Sequence, residues 1–230
     1  MSINHLRSDK PGKPYKGIAM EGIVAKWYAR NAGRDSEQKM LAKKIRNTMP
    51  AGGDILEVAP GPGYLSIELA SFKIYKVTAL EISKTFIEIA QEKAKKANVD
   101  VEFRHGNASH MPFKDKTFDF IICVAAFKNF TEPVQAIREM YRVLKPDGKA
   151  CIVDLRRDVS VEKIDKHIKD DLHMRGLNAW MTSFVFRSTL LKNAYTKAEI
   201  QNFVSKTNFG QANILEDAIG MEIWLEKQGA

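Results

Sequence analysis

Cysteine is scarce in this sequence: Cys123 and Cys151 are the only two, far apart and each inside an apolar run. A disulfide-stapled framework and a cysteine-rich metal clip are thereby excluded, and both thiols read as small core residues of a reduced compartment. Long apolar runs are missing too. None approaches the roughly 20 residues that cross a bilayer, so neither a spanning helix nor a membrane partner is expected. Met1 to Lys16 mixes Asn4, His5, Arg7, Asp9 and Lys10 with no apolar stretch, which argues against a secretory signal and for a cytoplasmic location. His167 and His173 are six apart, the wrong spacing for one helix face, so no metal site is expected. The sequence has no internal repeat and no low-complexity tract.

What is present is the composition of a water-soluble globule: 230 residues, 44% hydrophobic and 28% charged. That length suits one elaborated domain. The net charge of +8 is uneven. Residues 1–50 carry 11 lysines and arginines against four acidic residues, a net +7, while the other 180 carry 25 against 24. Such a segment suits nucleic acid or another anion. Its cations are dispersed, however, and not interleaved with aromatics, which favours an ordinary solvated helix face.

Residues 1–18, with Pro11, Gly12, Pro14 and Gly17, read as irregular. Met20 to Met49 reads as helical, in two pieces broken near Gly33. An alternation follows. Short strands at Ile55–Val58, Val77–Leu80, Val101–Arg104 and Phe118–Val124 are separated by helical periods, with Ser83 as an N-cap and Pro133 in a first helical turn. Pro146-Asp147-Gly148 ends the next helix, and Ala150–Val153 is a fifth strand. Strands alternating with helices imply parallel βαβ units in a doubly wound α/β sheet. Residues 155–194 break the rhythm with two helices, about Val161–Met174 and Ala179–Leu191. Thr196 then caps another helix, and Ala212–Leu215 with Met221–Leu225 forms an antiparallel hairpin.

The chemistry starts at Glu57-Val58-Ala59-Pro60-Gly61-Pro62-Gly63, where the first strand turns into a helix. Gly61 and Gly63 lack Cβ atoms, so the backbone can bend sharply and come close to a ligand. Glu81 ends the next strand, twenty residues beyond Gly61. A carboxylate there accepts hydrogen bonds from both hydroxyls of a ribose, which fits an adenosine ligand. Dinucleotide proteins share both features, but three observations point elsewhere. Glu57 precedes the glycines where a dinucleotide turn keeps apolar residues. Pro62 removes a phosphate-binding N–H, and Ser66 replaces the third glycine. Gly106-Asn107-Ala108, followed by Met111-Pro112-Phe113, lies where an adenine would sit, with the Asn107 amide available to the base.

With Phe118-Asp119 and Arg142-Val143-Leu144-Lys145-Pro146-Asp147-Gly148, these motifs resemble, in order, the class I S-adenosylmethionine-dependent methyltransferases of the broad type 11 group. The resemblance covers about 54–154 and more weakly the tail to Leu225. It implies a Rossmann-like seven-stranded sheet in order 3-2-1-4-5-7-6 with strand 7 antiparallel. It also implies a layout of tail and cap helices (1–50), cofactor core (54–154), helical insert (155–194) and terminal helix with hairpin (195–230). Carried over, Glu57, Ala59, Pro60, Gly61 and Gly63 would surround the methionine part of S-adenosylmethionine, Glu81 and Ile82 the ribose, Asn107 and Ala108 the adenine. Cys123 and Val124 would close the cofactor set beside the methyl donor. Asn107 stands where the family usually has Asp, and Pro60 and Pro62 stiffen a loop that usually lacks them.

The acceptor side is less legible. The Asn/Asp-Pro-Pro-aromatic sequence of amine-methylating DNA enzymes is missing after the fourth strand, as is a Pro-Cys nucleophile for pyrimidine carbon. Phe127, Phe130, Tyr28 and Trp180 are the candidate acceptor walls, and Tyr28 and His110 the candidate catalytic groups. The expected function is direct methyl transfer to a small-molecule acceptor, releasing S-adenosylhomocysteine. The rivals are an RNA or protein methyltransferase, suggested by the basic first 50 residues, a non-catalytic partner-binding subunit on the same fold, and a nicotinamide-dependent reductase.

Overall fold

Short aliphatic runs too apolar to face water on either side become strands, and the amphipathic segments between them become the helices that cover those strands. The computed structural model describes residues 15–16, 20–31, 35–170 and 190–229. Two helices come first, α1 (Gly22–Asn31) and α2 (Asp35–Thr48). Then follow β1 (Asp54–Val58), α3 (Tyr64–Ser71), β2 (Lys76–Glu81), α4 (Lys84–Lys96), β3 (Glu102–His105) and β4 (Phe118–Val124). A 3-10 turn at Phe127–Asn129 leads to α5 (Pro133–Val143), β5 (Leu144–Leu155) and α6 (Val161–Asp170). After a short turn at Leu191–Asn193 come α7 (Lys197–Val204), β6 (Asn213–Glu216) and β7 (Gly220–Glu226).

The seven strands form one sheet in order β3-β2-β1-β4-β5-β7-β6. β1 to β5 are parallel, and β7 runs antiparallel to both β5 and β6. This is the order implied by the resemblance, and the hairpin read from the sequence is β6–β7.

Strand alternation sorts the core onto two faces. Leu56, Val58, Ile121, Ala150 and Ile152 pack with Ile137 and Met140 of α5 and with Ile200 and Val204 of α7. Ile55, Phe120, Ile122 and Cys151 pack instead with Ala42 and Ile45 of α2 and with Leu65 and Leu69 of α3. The caps act as the sequence suggests. Ser83 Oγ accepts the Phe86 N–H at 3.0 Å, and Thr196 forms a reciprocal capping box with Glu199.

One boundary differs. The sequence places Pro146-Asp147-Gly148 in a turn before a strand starting at Ala150, yet β5 starts at Leu144, directly after α5. The tripeptide bulges within the strand: Phe118 pairs with Leu144, Phe120 with Lys149, and Asp147 takes φ +61°. Residues beyond β7 supply its hydrogen bonds, the Asp147 N–H donating to the Lys227 carbonyl (2.9 Å) and the Lys227 N–H to the Gly148 carbonyl (3.0 Å). A local pattern cannot show a partner 80 residues away. The helix expected to reach Met174 is described to Asp170, and the rest of the expected insert, before Leu190, lies outside the described residues.

Gly63, expected beside the cofactor, is also a packing glycine. Its φ is +77°, and a Cβ there would lie 2.8 Å from the Ala90 Cβ on α4. Gly63→Ala combines a left-handed penalty with overpacking, so about 2–4 kcal/mol of stability is expected to disappear in urea unfolding. A loss below 1 kcal/mol would mean that α4 moves away at little cost.

Candidate functional site

The carboxyl ends of β1, β2 and β4 meet where open α/β sheets bind ligands. Two sharp turns make the opening. After β1, Ala59 (φ +57°) and Gly61 (φ +55°) are left-handed; after β4, Ala125 is left-handed as well (φ +56°). Such non-glycine residues cost of order 1 kcal/mol or more each and cluster at functional sites. Their own hydrogen bonds hold them, the Ala59 N–H donating to the Leu80 carbonyl at 2.8 Å and the Ala125 N–H to the Val153 carbonyl at 2.7 Å. The cleft between these turns measures about 420 Å³ and is walled on one side by Tyr28 of α1.

Three carboxyl groups line it: Glu21, Glu57 and Glu81. Glu81 is buried and accepts the backbone N–H groups of Gly61 (2.9 Å), Ile82 (2.8 Å) and Ser83 (2.9 Å). Burial raises its carboxyl above the ordinary range, and those three donors oppose the rise. Glu21 caps α4, accepting the Lys84 N–H at 2.9 Å and the Thr85 N–H at 3.1 Å, and so ties the segment before α1 to the rim. Gln38 of α2 also reaches the cleft, and its Oε1 is buried without a hydrogen-bond partner among the described residues.

Glu57 is buried and accepts a short hydrogen bond from the Ser66 hydroxyl. Burial pushes its carboxyl up to about 7; the Ser66 contacts pull it down, and the Glu81 charge adds a smaller rise. Because the folded state holds this proton more tightly than the unfolded chain does, its stabilising effect is complete below pH 4.5 and is lost as pH climbs to about 7. The unliganded protein is therefore expected to lose about 3 kcal/mol across that window from this group. Glu57→Gln should flatten the dependence in urea unfolding at a series of pH values. An unchanged slope would show that Glu57 ionises freely.

Of the residues expected to hold the cofactor, Glu57, Ala59, Pro60, Gly61, Glu81, Ile82 and Val124 line the cleft. Asn107 and Ala108 line a small adjoining cavity shared with Ala59 and Ile82. There Asn107 Oδ1 accepts the Ser109 N–H at 3.0 Å, which leaves its amide NH2 for a ligand. Cys123 is fully buried in the core, and burial drives its thiol far above the thiol range, so it packs and does not line the cleft. Among the acceptor candidates, Tyr28 and Phe130 reach the cleft. Phe127, 1% exposed, turns into the core against Phe130 and Tyr195, with ring centroids 5.5 and 6.0 Å away. His110 lies in a separate surface hollow with Glu132, Gln135 and Arg138, where it cannot act as a base for the cleft. Trp180 is outside the described residues.

Several cleft residues escaped the sequence reading. Tyr15 lines both cavities and bridges to Phe130; Lys16 beside it donates its N–H to the Asn129 carbonyl (2.6 Å) and its Nζ to the Tyr195 hydroxyl (2.6 Å). Lys128 also lines the cleft, in a buried ion pair with Asp154 at 2.8 Å. All of these contacts are distant in sequence, so no local motif announces them.

The donor set suits S-adenosylmethionine. Glu81 would take the ribose hydroxyls, Asn107 the adenine, and the turn from Ala59 to Gly61, with the acceptors of Gln38 and Glu57, the amino-acid end. Among the described residues no cluster of three metal-ligating side chains occurs.

Residues 56–152 match the family model described as "Methyltransferase domain". The chain is 37% identical over 106 residues to a demethylmenaquinone methyltransferase of Listeria welshimeri, covering 45% of each protein. It is 32% identical over 119 residues to a ubiquinone/menaquinone biosynthesis C-methyltransferase of Escherichia fergusonii, covering 50% of this chain and 47% of that one. The matches thus span about half the length of these curated relatives. A Methanococcus maripaludis structure assigned as an S-adenosyl-L-methionine-dependent methyltransferase superposes with TM-score 0.73 at 22% identity, covering 95% of this chain and 99% of that one, which shows the shared fold. Together, the glycine turn and the match over residues 56–152 identify that stretch as a methyltransferase domain, and the sheet order is that of the fold shared with the Methanococcus maripaludis structure.

Proposed function

We propose that this chain transfers the methyl group of S-adenosylmethionine to a small-molecule acceptor. The observation that carries this reading is the make-up of the cleft: about 420 Å³, within the range of small-ligand sites, with three carboxyl groups and only one lysine among its described lining residues. A polyanion such as RNA would meet that acidic lining at a cost. The exposed lysines of α2, such as Lys39 and Lys43, do not line it. The names of the two relatives, which refer to quinone compounds, support a small acceptor here as well.

When bound, the cofactor supplies an already activated sulfonium methyl. The protein's part is to hold the partners in line and to keep water out. Glu81 and the Ala59–Gly61 turn fix the donor, while Tyr28, Phe130 and the segment after β4 enclose the space that remains. S-adenosylhomocysteine is expected to bind with micromolar affinity in calorimetry, and the labelled methyl group of S-adenosylmethionine to pass to low-molecular-weight acceptors and not to RNA. Absence of S-adenosylhomocysteine binding would overturn the reading. Label in RNA, together with RNA binding that falls steeply with salt, would establish the nucleic-acid rival.

A further inference from the structure

Lys128 and Asp154 form the one buried ion pair on the described wall of the cleft, and donor binding leaves it without a task. Each side chain is 4% exposed. Asp154 accepts three hydrogen bonds: Oδ2 accepts the Lys128 N–H at 2.8 Å, and Oδ1 accepts both the Leu155 N–H and Lys128 Nζ at 2.8 Å. Lys128 Nζ donates to Asp154 and to the carbonyl of the left-handed Ala125, which engages two of its three N–H groups among the described residues. A buried ion pair is no more stabilising than apolar packing of the same volume. Here Lys128 lines the cleft together with the apolar Val124, Ala125, Ala126 and Phe130. Its position is informative too. In the order β2-β1-β4, Glu81 ends β2 and Lys128 follows β4, so the two flank the Ala59–Gly61 turn from opposite sides.

We propose that Lys128 is the acceptor's anchor: its ammonium, fixed by Asp154, binds an acceptor presented as an oxyanion, either a carboxylate or an ionised hydroxyl on an unsaturated carbon. The inference deepens the methyltransferase reading and rests on it. Lys128 works by binding and orientation. For a hydroxyl acceptor it also lowers the pH at which the hydroxyl ionises, because a nearby cation favours the charged form. Asp154 is a positioning residue: it keeps the ammonium on the cleft wall and touches no substrate itself.

The test uses protein saturated with S-adenosylhomocysteine and two probes, 4-nitrophenol, whose absorbance reports its ionisation, and benzoate, followed by calorimetry. Lys128→Met alone strands a buried Asp154, so the decisive variant is Lys128→Met/Asp154→Asn, which removes both charges. Wild type is expected to bind 4-nitrophenol with its ionisation displaced about one pH unit downward. The double variant should lose that displacement and bind the anion about tenfold more weakly, while S-adenosylhomocysteine affinity stays the same. Lys128→Arg should restore part of the displacement. Preference for 4-nitrophenol would assign a hydroxyl acceptor, and preference for benzoate a carboxylate. The proposal is overturned if wild type, loaded with S-adenosylhomocysteine, binds neither probe at millimolar concentration, or if the double variant behaves like wild type, since the pair would then be a brace alone. Failure of S-adenosylhomocysteine itself to bind would take down the methyltransferase reading and this one with it.

Discussion

Glu81→Ala is expected to weaken S-adenosylmethionine binding by about 100-fold or more in calorimetry. A carboxylate that takes two ribose hydroxyls makes two charge-assisted hydrogen bonds, together about 3 kcal/mol or more. The variant also strips acceptors from the N–H groups of Gly61, Ile82 and Ser83, all of which wall the same cleft. The turn after β1 therefore loses the brace that sets its distance from β2. Glu81→Gln keeps an oxygen but not the charge, and an intermediate loss of about tenfold is expected. Unchanged affinity in Glu81→Ala would show that the ribose lies elsewhere.

Asp154→Ala, behind the cleft wall, is expected to cost about 3–5 kcal/mol in urea unfolding, because it leaves a buried Lys128 ammonium without its counter-ion. It also deprives the N–H groups of Lys128 and Leu155 of their acceptor. Removing both charges in Lys128→Met/Asp154→Asn should recover most of that loss, since the uncompensated charge, not the missing contact, dominates. Equal losses in the single and double variants would show that the pair stabilises through packing.

The sheet, and the residues that line the cleft at the ends of β1 and β2, are legible because their signals are local. The strands at 55–58 and 118–124, the caps at Ser83 and Thr196 and the turn before α3 each sit within a few residues of what specifies them. What is not legible depends on residues far apart in the chain. Gly63 carries the family signature yet is required by Ala90 of α4. Phe127 and Phe130 look equivalent in sequence, but the 3-10 turn buries the first in the core and turns the second to the cleft. His110 follows the adenine motif, yet it lines a different hollow, with Glu132, Gln135 and Arg138. Nothing local marks Lys128 as buried, because Asp154, which makes its burial tolerable, is 26 residues further on. An acceptor pocket assembled from such pairs has no short signature.

The place of β7 bears on how this sheet is made in the cell. It is an interior strand, paired with β5 on one edge and β6 on the other, and it is the last to be synthesised. Until residues 220–226 have emerged from the ribosome, the edge of β5 opposite β4 is an open, mostly apolar ladder from Lys149 to Leu155. Such an edge is prone to pair with another chain. The hairpin therefore acts as a late closing step: a nascent chain stalled before it can already hold the glycine turn and Glu81, but it presents its neighbours with an uncapped sheet.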